Sequence, residues 1–135
     1  LIDEILKAKG FTTHLSPPGP DKGVDILASK GDLGFATPRV CVQVKSGTTE
    51  VDRVTLDQLI GTMQNFNAEN GLLVSWGGFK SSTKKEIPVQ FFKVRLWDKN
   101  QIITEFLNIY ENLSEEIKAE IPLKKVWILS EKETI

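Results

Sequence analysis

Apolar residues recur along the chain with two distinct periods. Leu1, Ile2, Ile5 and Leu6 fall at helical spacing, and Gly10 stands where a left-handed cap would end that helix. Phe11 to Leu15 reads as a short strand. The run Ser16-Pro17-Pro18-Gly19-Pro20-Asp21-Lys22-Gly23 follows as a rigid loop, since its prolines exclude regular pairing. Val24 to Ala28 is an apolar strand interrupted by one carboxylate, Asp25. After a turn at Gly31 and Gly34, the stretch from Arg39 to Lys45 alternates strictly. Val40, Val42 and Val44 face one way, and Cys41, Gln43 and Lys45 face the other.

The second half returns to the helical period. Thr55-x-x-Gln58 has the form of a capping box, and Leu56, Leu59, Ile60, Met63 and Phe66 form a stripe that ends at Asn70-Gly71. Leu72 to Trp76 reads as a buried strand, and a short helix is expected across Ser82 to Phe91. Val94 to Trp97 supplies a last core strand. Asp98-x-x-Gln101 then caps a helix carrying Ile102, Ile103, Phe106, Leu107 and Tyr110. The pattern predicts helix, three strands, helix, strand, helix, strand, helix. That order specifies an α/β protein with a mixed sheet between helical layers. A main unit is expected over residues 1–112. Residues 113–135 are expected to pack on it, with a further helix and an edge strand around Val126 to Leu129.

Length and composition narrow the function classes. The 135 residues, 40% of them hydrophobic, suffice for one core. Seventeen Lys and Arg against eighteen Asp and Glu exclude a generally basic nucleic-acid coat, so any nucleic-acid contact must be local. One cysteine, Cys41, forms no internal disulfide, and no apolar run approaches the roughly 20 residues that cross a bilayer. A soluble, cytoplasmic protein is the resulting expectation. The first residues already read as the middle of an amphipathic helix, which suggests a preceding region.

Asp25 is the first candidate for chemistry, because a carboxylate in an apolar strand is costly unless paired or bound to a metal. Gln43 and Lys45 lie two apart on the next strand, so they share a face roughly 7 Å apart at about 3.3 Å per residue. A carboxylate oxygen, the amide oxygen of Gln43 and the backbone carbonyl of Val44 suit a hard cation such as Mg²⁺, with Mn²⁺ as a substitute. Lys45 would polarise a water and offset charge at phosphorus. The bland alternative is a buried Asp25–Lys45 bridge that catalyses nothing.

The run Gly19 to Ala28 (GPDKGVDILA), followed by Val42-Gln43-Val44-Lys45-Ser46, by Gly61-Thr62-Met63, and by Gly71 to Ser75 (GLLVS) with Phe79, resembles the Mrr restriction endonucleases in order and spacing. The resemblance extends from Leu1 to about Leu107. It implies the three-layer sandwich of the PD-(D/E)xK nucleases, with Asp25, Gln43 and Lys45 as the metal and catalytic centre of a DNA phosphodiesterase. It also implies double-stranded DNA, methylated DNA included, as substrate, and a homodimer or higher oligomer to cut two strands. Gln43 stands where the wider superfamily has Glu, which removes one negative charge. An acidic residue on the first helix that often completes such sites would align before Leu1, and Glu4 is a poor substitute on the solvent side. Gly61 is expected to let its helix approach the sheet.

Other residues carry less. His14, the sole histidine, excludes two-histidine metal sites and reads as a strand residue. Cys41 reads as a small buried residue without a histidine partner. Ser46 after the catalytic strand, with Lys80, Ser82 and Lys84 at a helix start, are candidate DNA-backbone contacts, against a plain polar turn and a solvated helix start. Trp76, Trp97 and Trp127 lie in apolar runs and are expected in the core. A catalytically silent DNA-binding or scaffold module is the rival reading.

Overall fold

The computed structural model describes residues 1–17, 23–112 and 115–120. The expected edge strand around Val126 to Leu129, and Trp127 with it, lie outside the described residues. Helix α1 (Ile2–Ala8) leads into β1 (Thr12–Leu15), β2 (Ile26–Lys30) and β3 (Ala36–Lys45). Then come α2 (Arg53–Asn65), β4 (Asn70–Ser75), α3 (Ser81–Lys84), β5 (Val94–Trp97), α4 (Lys99–Ile109) and, after a 3₁₀ turn at Tyr110–Asn112, α5 (Glu115–Glu120). The sheet order is β1-β2-β3-β4-β5. The first three strands pair antiparallel, and β3, β4 and β5 run parallel. Each parallel neighbour requires a crossover, which α2 and α3 supply in turn.

The alternation along β3 divides the core in two. Val42, with Val40 and Val44, packs with Ile5 and Leu6 of α1 and with Ile102 and Phe106 of α4. Cys41 packs on the other side with Leu56, Leu59 and Met63 of α2. Burying each large aliphatic side chain contributes about 1.5–3 kcal/mol, so these two clusters hold the three layers together.

Local chemistry moved several boundaries. The N-cap of α2 is Asp52, whose Oδ1 accepts from the Thr55 amide at 3.1 Å and from Thr55 Oγ1 at 3.0 Å. The carboxylate three residues earlier therefore captures the cap expected at Thr55. The helix ends at Asn65, and Asn67 takes a left-handed φ of 53°. Gly61 meets nothing within 4 Å. The close approach falls instead at Gly71, where a Cβ would lie 2.7 Å from Met63 Sδ. The helix expected over Ser82 to Phe91 shrinks to Ser81–Lys84, with turns beyond it. Strand β2 begins after Asp25, and β3 extends back to Ala36 across a bulge between Ala28 and Lys30. Alternation starts only at Val40 because Ala36 to Arg39 are exposed. Helix α4 matches its expected cap, with Asp98 Oδ1 accepting from the Gln101 amide at 3.0 Å. Helix α5 folds back, as Lys118 Nζ donates to the Glu111 carbonyl at 2.9 Å.

Candidate active site

Strand β3 changes character along its polar face. Cys41 is wholly buried, Gln43 is 8% exposed, and Lys45 is exposed at the strand end. Burial pushes the Cys41 thiol up to about 11, so it stays protonated at neutral pH and is no nucleophile. His14 is exposed on β1, two strands from β3 and level with Cys41 through Leu27.

Asp25 stands just before the first paired residue of β2, Ile26, which faces Val42. Its amide donates to the Val42 carbonyl at 2.8 Å, and its carboxylate Oδ2 accepts from the Val44 amide at 2.6 Å. Val44 is the residue between Gln43 and Lys45. The fold thus brings the Asp25 carboxylate onto the backbone of the Gln-x-Lys segment from eighteen residues away. Asp25 Oδ1 carries no hydrogen bond from the described residues. Asp25 is exposed rather than buried, and no ion pair joins it to Lys45, so the buried bridge does not form.

Gln43 Oε1 is buried and has no hydrogen-bond partner among the described residues. Buried acceptors are nearly always satisfied, and leaving one unpaired costs about 1–3 kcal/mol. An unpaired amide oxygen next to a carboxylate with an open oxygen fits a hard divalent cation, which takes oxygen ligands and retains water. Among the described residues there is no cluster of three or more His, Cys, Asp or Glu side chains that would hold a metal without such neutral oxygens.

A cleft beside Lys45 is lined by Ser46, Gly47, Glu50 and Asp52. Glu50 and Asp52 were not expected there. The Asp-x-x-Thr cap pattern at Asp52 was readable in the sequence, whereas the position of Glu50 depends on the loop. The Thr55 amide, with the Thr55 hydroxyl, holds the Asp52 carboxyl below the ordinary carboxylate range, and Lys80 adds to this. Lys80, Ser82 and Lys84 are exposed on and before α3. Lys80 reaches the rim through Asp52, whereas Ser82 and Lys84 do not line this cleft. Glu4 on α1 is half-buried.

Two loops are locked together behind the site. The Val51 amide donates to the Gly78 carbonyl at 2.9 Å, and the Lys80 amide donates to the Val51 carbonyl at 3.0 Å. Buried Thr83 Oγ1 donates to the same Val51 carbonyl at 3.0 Å. A Cβ on Gly77 would come within 2.5 Å of the Thr48 carbonyl carbon. Trp76 is a correction to the expected core placement. It is 45% exposed, and its amide donates to the Lys45 carbonyl at 3.1 Å. Trp97 keeps the expected place, partly buried against the α1–α4 cluster.

Known structures share this architecture. The MspJI restriction endonuclease in complex with a 27-mer oligonucleotide aligns with a TM-score of 0.56 at 22% identity, over 77% of this chain and 25% of its own. The DNA modification-dependent restriction endonuclease AspBHI aligns with a TM-score of 0.62 at 16% identity, over 86% and 32%. AF1548, a protein of unknown function, aligns with a TM-score of 0.60 at 12% identity, over 92% and 69%. The chain therefore spans a quarter of MspJI and about a third of AspBHI. These likenesses establish the restriction-endonuclease fold. No curated protein matches the sequence. Among the described residues no helix is long and apolar enough to cross a membrane. The family match covers residues 1–106, and the chain belongs to the Mrr catalytic domain family of restriction endonucleases (Mrr_cat).

Proposed function

We propose that this chain is the catalytic unit of a metal-dependent endonuclease that hydrolyses phosphodiester bonds in double-stranded DNA, in restriction of foreign or modified DNA. The observation that carries the reading is the buried, unpartnered Oε1 of Gln43 on the strand segment whose next residue, Val44, binds the Asp25 carboxylate. Asp25, Gln43 and the Val44 backbone carbonyl would hold Mg²⁺, with Mn²⁺ as a substitute. Bound there, the cation supplies charge neutralisation at phosphate and acidifies a coordinated water. The Val44 amide fixes the Asp25 carboxylate in place, so Oδ2 is committed to the backbone and Oδ1 is left without a hydrogen bond from the described residues. Lys45, without an ion pair or hydrogen bond among the described residues, has all three N–H donors free to orient a water and offset phosphate charge.

Ser46 lies at the mouth of the same cleft, which suits a backbone phosphate contact. Lys80, Ser82 and Lys84 add local positive charge on an otherwise balanced surface. Cutting both strands calls for a homodimer or higher oligomer. The description of AspBHI as DNA modification-dependent supports modified DNA as the target class. The nuclease unit is assigned to residues 1–112, with 113–135 as an extension on the same domain, and the protein to the cytoplasm.

The test is cleavage of methylated and unmethylated plasmid in Mg²⁺ or Mn²⁺, beside Lys45→Ala. Metal-dependent nicking or linearisation that disappears in the variant supports the assignment. A second reading, a silent DNA-binding module on the nuclease fold, draws on the single carboxylate at the Asp25–Gln43–Lys45 centre. Wild-type protein that folds and binds DNA but never cuts it favours that reading.

A further inference from the structure

Trp76 is unlike the other strongly exposed aromatic residues. Phe35 is 81% exposed, Phe92 91% and Phe91 46%, but all three belong to the opposite end of the sheet. Phe35 precedes the first residue of β3, and Phe92 shares a cleft with Asn70, the first residue of β4. Trp76 follows the last residue of β4, whose register partner on β3 is Lys45. It lines a cleft whose apolar wall is Leu1, Ile2, Val44 and Ile102 and which Lys45 and Ser46 also border, and a second cleft with Thr48, Asp98, Lys99 and Asn100.

Its backbone is held from both sides. The Trp76 amide is bonded to Lys45, Ser75 Oγ donates to the Gly78 carbonyl at 2.8 Å, and Gly77 lies too close to Thr48 to admit a side chain. Ser75 and Val74 immediately before it are buried, which anchors its backbone at the strand tip. Scattered exposed apolar residues are ordinary on protein surfaces. An indole mounted on a fixed strand tip beside Lys45 offers a large apolar face with only two side-chain torsions to order on contact.

We propose that Trp76 is a substrate-contacting residue whose indole packs against the nucleoside next to the phosphate engaged by Lys45. This assignment rests on reading the Asp25–Gln43–Lys45 centre as a DNA-cleaving site. A nucleoside offers an apolar sugar face and a flat base, and either matches an indole. Lys99 and Asn100 continue the strand's path away from the cut, and Thr48 supplies a hydroxyl beside them.

The experiment combines kinetics with a direct probe of the ring. Trp76→Ala raises KM for duplex DNA by about 10- to 100-fold with a much smaller change in kcat, and Trp76→Phe restores most of the loss. In parallel, 5-fluorotryptophan is incorporated into Asp25→Asn protein, which keeps an oxygen to accept from Val44 but does not cut. The Trp76 fluorine resonance is identified by its absence from the Trp76→Phe variant. Duplex DNA shifts that resonance. A shift that survives an abasic nucleotide at the contact places the ring on the deoxyribose, and a shift lost with the base places it on the base. A Trp76 resonance unmoved at saturating DNA overturns the proposal, and if wild type still cuts, the nuclease reading survives without it. A shift with no cutting by wild type in either metal upholds the contact and overturns the nuclease reading.

Discussion

The two faces of β3 obey different rules. On the face toward α1 and α4, Val40, Val42 and Val44 pack against an apolar cluster, and the buried carboxylate oxygen of that layer, Glu105 Oε2, is charge-paired with Lys9 at 2.5 Å. On the face toward α2, a buried thiol gives way to a buried amide without a partner and then to an exposed ammonium. The first face holds the layers together. The second gives up stability at Gln43 in a place where a neighbouring carboxylate, Asp25, keeps one oxygen open. A buried polar group that packing alone leaves unsatisfied marks the residues selected for something other than folding.

Substitutions that separate the faces sharpen this contrast. Lys45→Ala has the largest expected effect, about 10²–10³-fold on single-turnover cleavage, with the melting temperature unchanged because the side chain is exposed and has no ion pair among the described residues. Quenched-flow cleavage with calorimetry on the same samples checks both halves. Gln43→Leu removes the orphaned acceptor, so stability holds or rises, by up to about 3 kcal/mol, while the metal needed for half-maximal cleavage rises by about 10- to 100-fold. Ile5→Ala on the apolar side does the reverse. It loses about 2–5 kcal/mol in urea unfolding and leaves the rate per folded molecule intact.

Gly77→Ala forces the Thr48 backbone away from the β4–α3 loop and displaces the rim beside Lys45, at a cost of about tenfold in kcat, since small misplacements at a site are expensive. A thermal shift far larger than the kinetic loss would place Gly77 with the packing residues. The smallest effect is expected at Glu69, remote from the site. Hydrogen bonds from the Arg39 side chain, together with its charge, hold the Glu69 carboxyl at about 2. Its folded value lies below the ordinary 4.5, so the contribution to stability is full above about pH 4.5 and is lost as pH falls through about 2. Glu69→Gln flattens acid unfolding in that window and leaves cleavage at neutral pH unaltered.

The sequence made the element order, the two faces of β3 and the Asp25, Gln43 and Lys45 set readable, because period-two alternation and a lone carboxylate in an apolar run are local signals. Boundaries set by competing caps were less legible. Asp52 outcompeted Thr55 for the start of α2, and the Ser81–Lys84 helix was cut short where nothing buried its continuation. Tertiary features were not legible at all. The close approach at Gly71 rather than Gly61 depends on how α2 crosses β4. The exposure of Trp76 depends on where β4 ends, since an apolar run looks the same whether its last residue is the final buried one or the first to emerge. Gln43 could be placed on the polar face, but the absence of a partner for its oxygen needed coordinates.

The account stands most directly on whether the Gln43 amide oxygen and the Asp25 carboxylate share a cation. Mn²⁺ binding followed by electron paramagnetic resonance, in wild type, Gln43→Leu and Asp25→Asn, measures this without reference to cleavage. One Mn²⁺ site per chain in wild type, weakened in both variants while both keep the wild-type circular dichroism, is the predicted result. Equal Mn²⁺ affinity in all three proteins would contradict it.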